Sequence, residues 1–387
     1  MSNTGHGDQP VLYVDTPAAL DSLCAQLADA SWFALDTEFL REKTYYPKLC
    51  LLQIATPDVV ACVDPLALDD LAPLLELLAD RNITKVLHSA RQDMEIFYHL
   101  AGSPPAPVFD TQIAAPLLGL ADQIGYANLV KEMLGVTLDK LHTRADWSLR
   151  PLGEEQLRYA ADDVIYLAAL YQPLLERLQS HGRLGWLDED FRQLASPELY
   201  AINPENAWLK VKGGNRLKGA SLSILQALAN WREQQASQKD RPRGWMLRDD
   251  AMVEIARHKP TTLQALSSIR GLSEGLLKRS GNELLGIIAR AVGEKPVRFP
   301  DRGTRTRLSA EQDALVDVMM AVVRISAMEN SLNPTVLASR KQLEALLLGD
   351  TETGVMQGWR RKLVGERLQQ LLNGELELAV RDGKLQL

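Results

Sequence analysis

The chain has 387 residues, 46% of them hydrophobic and 24% charged, with a formal net charge of −7. No run of about 18 apolar residues is present to span a membrane, and the opening "MSNTGHGDQP" lacks a secretory pattern, so a cytoplasmic protein of two or three domains is expected. Cys24, Cys50 and Cys62 lie in or beside apolar segments at no metal-ligand spacing, which argues against a disulfide framework and a zinc site and for buried thiols.

The first unit is expected over residues 1–200. β-rich apolar runs occur at "WFALDTEF" (32–39), "KLCLLQIAT" (48–56), "VVACVDP" (59–65) and "TKVLHSA" (84–90). Short links, including the "TPD" turn of Thr56–Asp58, imply that the first three form an antiparallel meander. A helical stretch, "LAPLLELLAD" (71–80), leads into the fourth run, which can therefore lie parallel. From Arg91 the pattern is helical and ends in the long "EEQLRYAADDVIYLAALYQPLLERLQ", giving a mixed α/β domain.

A second unit is expected over 214–293, where apolar residues recur at spacings of three and four, with Thr261 and Ser273 as helix caps. The Pro-, Gly- and Arg-rich segment 294–307 reads as a linker, and 308–387 repeats the helical style as a third unit. Charge divides along the same lines. Residues 205–307 hold 20 Lys+Arg against 10 Asp+Glu, which leaves 23 and 40 elsewhere. An acidic unit joined to a basic one suggests that the first handles metal and the second a polyanion. Arg241, Arg243 and Arg248 are the expected phosphate contacts, while Trp231 and Trp245 could stack on bases but are first of all core candidates.

Acidic residues stand at unusual places in the first unit. Asp36 and Glu38 are two apart in a strand and so share a face. Asp93 follows the fourth strand, and Asp163 lies four residues after Tyr159, on one helix face with it. Hard divalent cations take oxygen ligands, and a pair of them serves in-line phosphodiester displacement. Such ions would offset the repulsion between Asp36 and Glu38. Tyr159 would orient the attacking water or help deprotonate it.

"ALDTEF", "HSARQD" and "YAADD" resemble the three exonuclease motifs of the DEDD superfamily, and the Tyr159–Asp163 spacing is that of its tyrosine subgroup. "TYYPKLCLLQIA" and "ADWSLRPLGEEQLRYAADD" look like the bacterial ribonuclease D family. "LKGASLSILQALANWREQQASQKDRPRGWMLRDDAMVEIARHKPTTLQAL" is similar to the HRDC domain, and the third unit to a weaker second copy. The resemblance implies a ribonuclease H-like exonuclease domain, a mixed sheet flanked by helices, followed by two all-α HRDC-type bundles. It implies two divalent cations, Mg²⁺ or Mn²⁺, the first held by Asp36, Glu38 and Asp163, the second bridged by Asp36, with Asp93 in its outer shell. Tyr159 would position the nucleophilic water, Gln53 would contact the substrate strand, and His88 and Trp147 would lie near the terminal nucleotide. The activity implied is 3′→5′ trimming of single-stranded tails on tRNA precursors and other structured RNAs, by a monomer, with release of nucleoside 5′-monophosphates. A DNA exonuclease and an RNA-binding scaffold with a vestigial nuclease domain are the alternatives.

Overall fold

A computed structural model describes residues 10–138, 145–294, 297–299 and 308–386. The chain divides into two compact units: described residues within 1–38, 50–199 and 307–387 form the first, and those within 39–49 and 200–306 the second. Most of the segment expected to be a linker lies outside the described residues.

The first unit opens with β1 (Val11–Val14), α1 (Pro17–Leu27), β2 (Trp32–Leu40), β3 (Lys48–Ala55) and β4 (Val60–Val63). It continues through α2 (Ala72–Ala79), β5 (Thr84–Leu87), α3 (Arg91–Ala101) and β6 (Val108–Asp110). The six strands form one sheet in the order β1-β4-β3-β2-β5-β6. β3 and β4 pair antiparallel, with Leu52 opposite Val63, while β5 lies parallel to both β2 and β6, and β1 parallel to β4. The β3–β4 turn is closed by the Thr56 N–H donating to the Val59 carbonyl at 2.8 Å. β1 and β6 were not among the four expected strands. Four and three residues long, they carry too little periodicity to stand out from loop.

Beyond the sheet come α4 (Thr111–Ala114), α5 (Tyr126–Leu134), α6 (Glu154–Ser180) and α7 (Asp188–Leu194). α6 buries Ala160, Val164, Leu167, Tyr171, Leu174 and Leu178, the stripe that its 3–4 spacing foretells. The loop before it is fixed by Arg150, whose Nε and Nη2 bond Asp64 at 2.6 and 2.7 Å and whose Nη2 also reaches the Cys50 carbonyl. Buried Lys85 donates to the carbonyls of Asp80, Ile83 and Ala106, which lets a strand interior hold an ammonium group.

The first unit also contains residues 308–386, although these follow the second unit in sequence. The second unit is helical: α8 (Ala220–Gln238), α9 (Arg243–Met246), α10 (Asp249–His258), α11 (Leu263–Ser267) and α12 (Glu274–Gly293). Trp208, Leu225, Leu228, Trp231, Met252, Ile255, Leu284 and Ile288 lie in its core. Ser273 caps α12 as expected, but the cap of α11 is Thr262 rather than Thr261. Of two adjacent threonines, the one whose hydroxyl meets the Ala265 N–H takes the role.

The C-terminal segment runs α13 (Ala310–Glu329), α14 (Arg340–Leu347), α15 (Gly358–Arg360) and, through a π turn, α16 (Glu366–Leu372). It is not all-α, because Ala379–Arg381 (β7) and Lys384–Gln386 (β8) form an antiparallel hairpin. It packs as part of the first unit. Trp359 stacks on Trp186 at 4.3 Å, and Arg183 donates to the Leu117 and Asn330 carbonyls.

Segment 39–49 begins one residue after Glu38, within the last two residues of β2, and packs with the second unit. Tyr45, 4% exposed, donates its hydroxyl to Glu233 at 2.5 Å, and the backbone N–H groups of Tyr45 and Tyr46 donate to Asp240. Arg243 bonds both Glu233 oxygens and lies over the Tyr45 ring at 4.4 Å. Burial pushes the Glu233 carboxyl up, but the Arg243 and Tyr45 bonds outweigh it and hold the group below its usual range. Replacing Glu233 with Ala strands two donors. Because the Arg243 side chain is 40% exposed, the expected loss is about 2 kcal/mol, below the cost of breaking a fully buried pair. Urea unfolding measures it, and an unchanged midpoint would show that the network carries no stability.

Candidate active site

Asp36 and Glu38 alternate along β2 with Thr37, which is 6% exposed. Thr37 donates its hydroxyl to Asp93, a buried residue in the first turn of α3. The turn into α3 is held by Asp110, whose carboxylate accepts from the N–H groups of Ser89 and Ala90 at 3.1 and 2.8 Å. Ser89 adopts a left-handed φ of 59°, a conformation these hydrogen bonds secure. From the other side α6 brings Asp163 and Tyr159, one turn apart. Tyr126 on α5 donates its hydroxyl to the Asp163 backbone carbonyl.

The four carboxyls feel one another. Burial pushes Asp36 up to about 8, with the Asp163 charge adding to it. Glu38 is pushed up to about 9 by burial and then by Asp36, Asp163 and Asp93. Asp93 lies well above its usual range through burial and Asp36, against the opposing Thr37 bond. Asp163 is raised to about 7, by burial and by Asp162. Burial, Asp163, Glu38 and Asp36 raise the Tyr159 phenol too, so it stays protonated at neutral pH. Among the described residues, no three His, Cys, Asp or Glu side chains form an assembled metal site. The donors are nonetheless of the right kind. They are hard oxygens in mutual repulsion.

The other expected contacts separate. Trp147 is 3% exposed and stacks on Tyr159 with ring centroids 6.2 Å apart, so it backs the phenol rather than facing a nucleotide. His88 shares a 2.9 Å hydrogen bond with Thr111 through Nδ1, and its Nε2 is enclosed. That arrangement is structural. Gln53 has no exposed area and sits inside the sheet opposite Cys62, so a substrate strand cannot touch it there. Asp162, the other acid of the "DD" pair, bridges to Arg158 at 3.1 Å.

Arg243 is not free for phosphate, since Glu233 takes its guanidinium. Arg248 pairs with Asp250 at 3.2 Å on the surface, and Arg241 lies over Trp245. Thr37, Asp110, Tyr126 and the Arg150–Asp64 pair were not singled out from sequence. Asp110 alone left a signal, as an Asp immediately before a helical run.

A sequence profile described as a 3′-5′ exonuclease matches residues 11–179, and one for the HRDC domain matches 221–288. The chain is similar to ribonuclease D of Nitrobacter hamburgensis, 38% identical over 375 residues covering 96% of this chain and 98% of that one. It is similar also to ribonuclease D of Gluconacetobacter diazotrophicus, 39% identical over 384 residues, 98% of this chain and 96% of that one. Among solved structures it is similar to Escherichia coli RNase D, an exoribonuclease involved in structured RNA processing. The TM-score is 0.79 at 31% identity, with 95% of this chain and 100% of the other covered.

Raised carboxyls mean that folding takes up protons. The stability this adds is complete below the ordinary carboxylate range near pH 4 and is lost as pH climbs through about 7 to 9. Asp36→Asn removes one of the repelling charges. With EDTA present, its melting temperature should match the parent's near pH 4 and exceed it increasingly toward pH 9. A difference that does not grow with pH would mean that the carboxyls do not share a field.

Proposed function

The chain belongs to the ribonuclease D family and is a 3′→5′ exoribonuclease; we propose that it acts through divalent cations held by Asp36, Glu38, Asp93 and Asp163. The observation that carries this reading is the shared field of the four carboxyls: three of them are raised by another of the set, with no basic side chain among the causes. Divalent-metal dependence is general in this exonuclease family. A pair of ions, Mg²⁺ or Mn²⁺, satisfies the four groups. When bound, such ions activate a water and offset the charge of the transferring phosphate.

The protein's own groups do the rest. Asp36 and Glu38 present their oxygens from one strand face. Thr37 fixes the rotamer of Asp93, and Tyr126 anchors the α6 turn that carries Asp163. Tyr159, stacked on Trp147, would donate a hydrogen bond that orients the attacking water. Of the two roles open to it, the raised phenol supports this one.

The substrates proposed are tRNA precursors and other small structured RNAs with single-stranded 3′ tails, shortened by a monomer in the cytoplasm. Support comes from the relative in Escherichia coli, an exoribonuclease involved in structured RNA processing, and from the basic balance of residues 205–307. The helical order of 310–372 supports reading that segment as a diverged second HRDC-type bundle.

Asp36→Ala should abolish trimming of a 3′-extended tRNA in Mg²⁺, as EDTA should in the parent, while RNA binding persists. Tyr159→Phe should lose about 10²-fold in kcat with little change in KM, as for one positioned acid–base group. Full trimming by Asp36→Ala would remove the metal assignment, and an unchanged kcat in Tyr159→Phe would remove the role of the phenol.

A further inference from the structure

The second unit contains a recess that the exonuclease chemistry does not use. Its volume is about 320 Å³, at the small end of the ~300–1,000 Å³ range of ligand sites. Trp231, Gln235 and Lys239 line one wall at four-residue intervals along α8 and its cap, and Arg279 and Ser280 of α12 and Trp245 of α9 line the others. None of the lining side chains is acidic.

Three features set this recess apart from a packing gap. Trp245 is 58% exposed, an uncommon state for the largest aromatic side chain, and Arg241 lies over its ring at 5.9 Å. Trp231, 6% exposed, has an indole N–H that is enclosed and meets no acceptor among the described residues. An enclosed donor without a partner calls for an explanation, and a bound group is one. Lys239 and Arg279 also bring two cations to the rim, neither of them in an ion pair among the described residues. Lys239 is turned toward the wall by a 2.5 Å hydrogen bond to Gln235.

A flat exposed ring, two cations and one enclosed donor match a heteroaromatic ring that carries a phosphate. We propose that this recess binds one unstacked nucleotide of single-stranded RNA, its base on Trp245 and its phosphate between Lys239 and Arg279. Every base offers a π face, so the site is tolerant of sequence. The volume admits one nucleotide and excludes a duplex. The proposal rests on the substrate being RNA.

Anisotropy of a labelled, unstructured 12-nucleotide RNA tests it, with full-length Asp36→Asn protein as the parent to suppress cleavage. Trp245→Ala should bind roughly tenfold more weakly, the factor for one stacked base, while Trp245→Phe keeps most of the affinity. Lys239→Gln combined with Arg279→Gln should flatten the slope of log affinity against log salt by about 0.7 per lost phosphate contact. Trp245→Ala binding within twofold of the parent would overturn the proposal. So would saturation of the site by free 5′-AMP without loss of RNA affinity in Trp245→Ala, which would mark a free-nucleotide site. Failure of the wild-type chain to trim RNA in Mg²⁺ is a separate result and would count against the nuclease reading instead.

Discussion

Asp36, Glu38, Asp93 and Asp163 are drawn into a largely buried space where, among the described residues, no lysine or arginine offsets them. Like charges in low dielectric favour protonation or separation, so the arrangement persists only because surrounding structure over-determines it. β2 is locked between β3 and β5, α6 packs an apolar stripe, and the Asp110 hydrogen bonds hold the start of α3. Arg150 clamped on Asp64 secures the loop that carries Trp147 behind Tyr159. The stability invested in these supports is set against repulsion that a divalent cation would relieve. In such an arrangement function and marginal stability have one cause.

The same economy operates in the second unit. Its basic balance does not make every arginine available to RNA. Arg243 neutralises buried Glu233, and Arg232 spans the Leu247 carbonyl and Asp249. Both are architectural. Under the proposed reading, contact with a polyanion falls instead to side chains that line the recess, Lys239, Trp245 and Arg279.

The site was more legible in the sequence than the fold around it. Asp36 and Glu38 were readable because strand alternation fixes their common face, and Tyr159 with Asp163 because a helix turn does. Arg243 was misplaced because Glu233 takes its guanidinium, and Trp147 and Gln53 for another reason. Proximity to a motif says nothing about which way a side chain points, and burial decides that. Gln53 faces the interior and Trp147 packs on the phenol. Strands β1 and β6 went unseen because three or four residues cannot display a period. The packing of 308–386 with the first unit depends on long-range contacts such as Trp186 on Trp359, which have no local signature.

For the four carboxyls to receive a divalent cation, they must give up protons. Calorimetric titration of Mn²⁺ into the protein at pH 7, in two buffers of different ionisation heat, tests it directly. Saturable binding is expected, with a heat that differs between the buffers because protons leave the carboxyls as the ion enters. Binding with the same heat in both buffers, or no binding at all, would contradict it.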